Sequence, residues 1–566
     1  MTKTKTFFKP KVYGLPKFLW NLIRWIFILS GVVMTLTATL RGSAAAGLIG
    51  LALSFIFYCW LFLYRNILDD IIRKFSPLCG LIALPYAAAA ARIFMGYFYF
   101  RFEKLSSAAL SFLADNFGAD AAAWGASLPY IKTGMTVLTG IALWVAVYWL
   151  ANGIRLHALP FIRSLNGTEI ALLVTGLVVS MALIYIVYGR TNLFYLPAQN
   201  GGIVKYDAVF TSDTGVLMET KVFVNINAAE NDLRHPLFGL FAMPVGITAS
   251  WIAYCFPGRE LAYVYALSFL QVLTLLVSMV MASRLAGLRH LDQIGFLLVY
   301  FISFPVLLFL LTIEQYIVAV FWLMLYLYSV FNGDGKDGGL REICFAGAAG
   351  TLLTSGFFIL FSPAKGGLKR YLINLLKAGL AFIACIAAFG QLPVLIGAAQ
   401  TLRNLSRFAS AGMPFMDKLQ QYLAFVSNCL FAPVAGISHI FEHISWQLLP
   451  ADGMNRIGIA LLVLALIGFL LNIKNKFCVL SFSWILFSFC LLGLAGWGAA
   501  ENGMILYTLY FSWALLALIY AGLTKGLAKH PLIRFGIAAA LFLAVAAVNI
   551  RELRELVRFG FFYYPN

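Results

Sequence analysis

The amino-acid sequence predicts an all-α polytopic membrane protein with about thirteen spanning helices and further interfacial or re-entrant segments. Of its 566 residues, 62% are hydrophobic and only 11% charged. The mean hydropathy is +0.88, and apolar runs long enough to cross a bilayer recur along the chain. Such a run needs about 20 residues to cross a hydrocarbon core of roughly 30 Å, and only a helix or closed barrel satisfies its own backbone polar groups there.

The N-terminus carries Lys3, Lys5, Lys9, Lys11 and Lys17 ahead of a long apolar run, with no small-residue cleavage site behind it. It reads as an uncleaved first helix whose start is cytoplasmic, because Lys and Arg collect on the cytoplasmic side. Runs at 19–40, 44–64, 77–98 and 134–153 give an N-terminal bundle of four helices within residues 1–160. The Ala-rich stretch from Arg101 to Lys132 balances its charges and reads as an outside loop.

A second division, 161–390, opens with a helix at 168–188 that leads outward to a first external loop, 189–259. That loop contains the apolar run Leu237 to Phe256. Spanning there would put Arg284, Arg289 and His290 outside and Glu314 inside, against the charge bias, so the run is expected at the outer interface. Helices at 260–283, 293–312 and 316–331 follow and place the turn at Glu314 externally. The run Ile343 to Phe361, interrupted at Thr354-Ser355-Gly356, reads as a re-entrant pair of half-helices, and a helix at 371–391 leads out again. The third division, 391–566, comprises an external segment, 391–455, expected to hold interfacial helices, and spans at 457–473, 477–496, 503–523 and 532–549. This arrangement puts the C-terminus outside an inner cell membrane.

The formal charge of +18 is scattered over short loops, and no RNA- or DNA-binding pattern interrupts the apolar runs. The charge therefore encodes topology and contact with membrane lipid, and nucleic acid is excluded as a partner. Eight cysteines, without a CxxC pair, read as small core residues.

Charged groups in or beside a bilayer are costly and so are default site candidates. Glu314, followed by Gln315 and Tyr316, sits between two apolar helices; its plain alternative is a helix-end carboxylate among headgroups. The first external loop supplies Asp207, Asp213, Asp232, Arg234 and His235, a set able to deprotonate a hydroxyl, bind a divalent cation or hold a phosphate. Its alternative is a solvated loop with a capping Asp. The turn with Glu501 and Asn502 precedes an aromatic helix carrying Tyr507, Tyr510 and Phe511, residue types that also form interfacial belts. His439-Ile440-Phe441-Glu442-His443 matches the short H-x-x-E-H zinc pattern, but with apolar neighbours it reads as an interfacial amphipathic helix.

In order and spacing, Asp213, then Arg234-His235-Pro236-Leu237, then Glu314 resemble the GT-C class of membrane glycosyltransferases. The likeness is to the family of protein O-mannosyltransferases and the lipid A aminoarabinose transferase, and it covers roughly residues 160 to 550. Asp213-Thr214 stands where that family has Asp-Glu, and four extra helices precede the module, which leaves Asp207 or Asp232 open as the base. The resemblance implies a polyprenyl-phosphate sugar donor and a glycan, lipid or protein acceptor reached from outside. It makes Asp213 the general base of an inverting transfer, with Arg234 clamping the phosphate. His235, Gln315, Tyr316, Glu501 and Asn502 become substrate-binding candidates, and Asp213 with Glu314 the candidate ligands of a divalent cation. The competing expectation is a transporter or flippase of a lipid-linked saccharide, which predicts inverted repeats and ionisable groups at the bilayer midplane; neither is evident.

Overall fold

A computed structural model describes residues 16–39, 44–64, 66–73, 75–118, 121–195, 208–210, 212–226, 232–257, 261–332, 340–361, 367–405, 413–440, 443–448, 455–497 and 503–566. Asp207, Glu501 and Asn502 fall outside these residues.

The first part contains α1 (Lys17–Thr39), α2 (Ala44–Cys59), α3 (Ile67–Arg73), α4 (Pro77–Phe117) and α5 (Ala121–Arg163). The expected outside loop at Arg101 to Lys132 is instead the distal half of a helical hairpin, because α4 and α5 run through it. Its Ala, Leu, Glu and Lys residues are good helix formers, and its scattered charges oppose burial in lipid without opposing a helix. At 1.5 Å per residue each of these helices is about 60 Å long, well beyond a bilayer's hydrocarbon core. Trp20, Ile28, Phe62, Ile71, Val145 and Tyr148 belong to a core confined to this part. Met34, Ala38, Phe94 and Phe98 join the main core instead.

The helices that surround the candidate site are α6 (Gly167–Arg190), α7 (Thr214–Glu219), α8 (Phe238–Tyr254), α9 (Ala262–Leu285), α10 (His290–Ile302), α11 (Phe304–Leu311) and α12 (Gln315–Asn332). The spans α6, α9, α10–α11 and α12 alternate in direction. At one end, Arg284 of α9 makes a two-point ion pair with Glu169 of α6 (Nη2 to Oε2 2.6 Å, Nε to Oε1 2.7 Å). Gln293 of α10 also donates to Glu169, at 2.8 Å. At the other end, Tyr188 near the close of α6 donates to the Leu311 carbonyl at 2.8 Å, and Tyr265 of α9 packs on Tyr185. The loop at Arg234 leads into α8, an apolar helix of 17 residues, and α9 begins at the end of the bundle where Tyr265 meets Tyr185.

Next come α13 (Leu340–Thr351), a 3-10 turn (Leu353–Phe361), α14 (Gly367–Ala388), α15 (Leu392–Ile396), α16 (Ala398–Leu405) and α17 (Phe415–Ser427). The run Ile343 to Phe361 changes from helix to 3-10 turn at Leu352, just before the expected break at Thr354-Ser355-Gly356. An antiparallel hairpin follows, β1 (Ala435–Ile440) and β2 (His443–Leu448). It replaces the amphipathic helix expected at the H-x-x-E-H pattern. His439 lies opposite Ile444, and His443 opposite Ile440, a register of two strands with none of the helical stacking a zinc pair needs. The physical cause is strand propensity with a distant partner: Ile437, Ile440, Ile444 and Trp446 are β-branched or aromatic, and Trp446 exchanges backbone bonds with the loop at Ala208 and Phe210 (2.8 and 2.9 Å).

The chain ends with α18 (Arg456–Leu471), α19 (Lys476–Ser488) continued by a π turn (Phe489–Leu494), a 3-10 turn (Gly503–Tyr507), α20 (Thr508–Gly526) and α21 (Pro531–Tyr563). The last helix runs well past the expected end at 549 and carries the C-terminus back to Arg190, where Asn566 N–H bonds the Arg190 carbonyl at 3.1 Å. Among the described residues ten helices are long and apolar enough to cross a membrane, or twelve when each of two bent pairs counts as one span. The remaining expected span corresponds to α18, an apolar helix of 16 residues.

Candidate active site

Asp213 precedes α7, and its neighbours fix it from both directions. Phe210 adopts a left-handed φ of 49°, unusual for an aromatic residue. It is held there because its N–H bonds the Trp446 carbonyl and its ring meets Phe304 edge-on at 5.6 Å. Beyond Asp213, Thr214 Oγ1 accepts from the Ile313 N–H at 3.2 Å.

The two acidic positions that the sequence separates by 101 residues meet. The Asp213 backbone N–H donates to Glu314 Oε1 at 2.6 Å. Glu314 is 2% exposed, in the short turn where α11 gives way to α12, and its own carbonyl accepts from Gln271 Nε2 at 2.8 Å. Asp213 is exposed and makes no capping bond to α7, so its alternative reading as a helix cap fails. Glu314 is accordingly built as a buried acceptor that orients the Asp213 backbone and turns the Asp213 side chain outward.

A second charged group, Arg234 with Asp232, lies just before α8. Asp232 Oδ2 accepts from both Arg234 Nε and Nη2 (2.8 and 2.7 Å), and its Oδ1 accepts from the Arg234 and His235 N–H groups (2.7 and 3.2 Å). The side chains of Arg234 and Asp232 remain 44% and 26% exposed. Burial opposes the charge on Asp232, yet His235 and Arg234 outweigh it and hold the carboxyl below its ordinary range. Burial likewise works against the Arg234 cation, and Asp232 more than reverses it, leaving the guanidinium fixed as a permanent positive charge. His235 is driven below its usual value chiefly by burial, with Asp232 pulling the other way. Its Nδ1 lies 2.5 Å from the Thr351 carbonyl, an acceptor only, so Nδ1 carries the proton.

That contact ties the loop to the end of α13, where the 3-10 turn begins. Leu237 N–H bonds Gly350 at 2.7 Å and Leu353 N–H bonds Arg234 at 2.9 Å. Glycine is required at 350, because a Cβ there would stand 2.7 Å from the Leu237 Cβ.

The carboxylates and the guanidinium share three tyrosines. Tyr316 lies within electrostatic reach of Asp213 and Glu314, and Arg234 within reach of Tyr316 and Tyr507. The Tyr316 ring is 5.2 Å from Tyr510 and 6.3 Å from Tyr507. Trp497 Nε1 donates to the Tyr507 hydroxyl at 3.2 Å.

Comparison with protein-family models, curated proteins and solved structures finds no match.

Asp213 therefore meets Glu314, Asp232 holds Arg234 and His235, and Tyr316 lies within electrostatic reach of Asp213, Glu314 and Arg234, with Gln315 buried at the start of α12. Asp207, Glu501 and Asn502 lie outside the described residues. Among the described residues no three His, Cys, Asp or Glu side chains gather as a cation site. The Asp213 N–H already occupies one Glu314 oxygen, a donor where a cation would need an acceptor. In the sequence, Tyr507 and Tyr510 fit either an interfacial belt or a site beside the acidic turn at Glu501, and their position directly after that turn is the signal. Gln271 carried no signal, being one amide within a long apolar helix.

Proposed function

We propose that the protein is a membrane glycosyltransferase of GT-C type that takes a sugar from a polyprenyl-phosphate donor and passes it to an acceptor hydroxyl at the external face. One observation carries this reading: an exposed carboxylate, Asp213, oriented by buried Glu314, shares an aromatic surround with the fixed cation of Arg234. Inverting transfer from a sugar phosphate needs this pair of opposite functions.

Asp213 takes the acceptor proton as the acceptor oxygen bonds to the anomeric carbon. The bond from that carbon to the phosphate oxygen breaks, and the electron pair leaves on the phosphate. Arg234 meets the charge that develops there, and Asp232 holds its planar fork in place. Asp232 is thereby occupied as an ion-pair partner, which favours Asp213 as base.

The test uses purified protein in proteoliposomes with a panel of synthetic undecaprenyl-phosphate sugars and water or simple alcohols as acceptor. Release of undecaprenyl phosphate with an inverted anomeric configuration in the product supports the reading. Translocation of the intact lipid-linked sugar with no bond cleavage supports the flippase instead.

A further inference from the structure

Tyr510 is 2% exposed, yet among the described residues its hydroxyl has no hydrogen-bond partner. An unpaired buried hydroxyl costs about 1 to 3 kcal/mol, so a native protein keeps one chiefly where something else will pair with it. Its surroundings are unlike those of the other orphaned hydroxyls in the bundle: Tyr507, Glu314 and Arg234 all lie within electrostatic reach of it. The backbone behind it is settled, because the Tyr510 carbonyl accepts from Trp484 Nε1 at 2.8 Å.

Tyr507 lies 6.5 Å from Tyr510 with the rings inclined by 23°, and Tyr316 completes a triangle with both. Tyr316 and Tyr507 are partly buried against the core, whereas Tyr510 is fully buried. Aromatic faces suit the C–H face of a sugar ring, and a lone hydroxyl at a closed position suits one of its hydroxyl groups. A prenyl chain would leave the Tyr510 hydroxyl unpaired, and a phosphate already has Arg234.

We propose that Tyr316, Tyr507 and Tyr510 form the subsite for the sugar ring of the donor, with the Tyr510 hydroxyl bonded to one ring hydroxyl and so selecting among sugars. This rests on the glycosyltransferase reading and adds a specificity-determining residue to it.

The experiment measures binding to purified full-length protein in nanodiscs by the fluorescence of Trp497 beside Tyr507, with other tryptophans as background controlled by Trp497→Phe. The probes are bare undecaprenyl phosphate and its mannosyl, galactosyl and arabinosyl derivatives, compared for wild type and Tyr510→Phe. The expected result is that wild type prefers at least one sugar-bearing probe over bare undecaprenyl phosphate. Tyr510→Phe should weaken that probe by about tenfold while binding of bare undecaprenyl phosphate stays within about twofold. Removing an unpaired hydroxyl should also leave the thermal midpoint unchanged or raise it, which a structural hydroxyl would not do. Unchanged preference in Tyr510→Phe, or equal weakening of every probe, overturns the subsite while leaving the glycosyltransferase reading in place. If wild type binds none of the probes, both fall together.

Discussion

Glu314 and Asp213 have different roles although both are carboxylates beside the same turn. Because Glu314 Oε1 accepts a backbone N–H, an amide oxygen can replace it, whereas a methyl cannot. Glu314→Gln should therefore retain most stability, and Glu314→Ala should lose about 1 to 3 kcal/mol by orphaning the Asp213 N–H, as read by denaturation in detergent. His235 brings a pH dependence of defined sign. Its folded pKa is depressed, so the unfolded chain binds the proton more tightly. Stability should fall as pH drops through the ordinary value of 6.5 and level off below the folded value. A thermal midpoint that declines from about pH 7.5 to about pH 5.5, with a shallower decline in His235→Asn, is the expected outcome. Asp232 acts only at more acid pH: its contribution is present above the ordinary 3.8 and disappears as pH falls below that value. At this scale Glu314 was legible in the sequence because an isolated acid between apolar helices has few reasons to be there. Tyr510 was not, because an aromatic residue near a helix start reads the same whether it meets lipid or substrate.

Helix breaks and close contacts decide how the elements present these residues. The α10–α11 pair bends by 53° at Ser303, and Asn549 of α21, with 0% exposure, staples the break. Its Nδ2 donates to the Ile302 and Leu430 carbonyls, both at 2.8 Å, and its Oδ1 accepts from Ala432 N–H at 2.7 Å. Asn549→Leu should cost about 2 to 4 kcal/mol by stranding the Ile302 carbonyl and the Ala432 N–H, the Leu430 carbonyl keeping its bond from Phe304 N–H, measurable as lost thermal stability, and should weaken activity further by releasing the bend that presents Glu314. At Gly468 of α18, a Cβ would lie 2.0 Å from the Leu518 carbonyl oxygen, with Gly522 facing it. Gly468→Leu should therefore prevent α18 and α20 from packing and reduce the yield of folded protein, whereas Gly379→Leu, in open space, should not. Apolar runs located nearly all the spanning segments, since lipid imposes length and composition. They missed the distal halves of α4 and α5 and the β1–β2 hairpin. Outside lipid, local propensity and pairing with a distant strand decide the outcome, and the Trp446 contact with Ala208 and Phe210 leaves no local trace.

At the scale of the whole molecule, one end of the bundle is closed by ion pairs and the other carries the site. Besides Arg284–Glu169, the closed end has Arg534 Nε 2.7 Å from Asp292 Oδ1. The helix directions place Arg190, Asp213, Glu314 and the C-terminus together at the opposite end. A membrane-impermeant thiol reagent should label a cysteine introduced at Asn566 and one introduced at Asp213 from the same side of a sealed vesicle. It should label one introduced at Lys529 only from the other side. Charge asymmetry made this ordering readable in advance, because Lys and Arg placement reports topology even where helix ends do not. It could not show that two loops 101 residues apart touch. The account stands most directly on the turnover of Asp213→Asn, measured with purified, folded protein and the lipid-linked sugar that wild type uses best. Loss of transfer by about 100-fold or more, with unchanged binding of the lipid donor, is the predicted result. Transfer at the wild-type rate would contradict it.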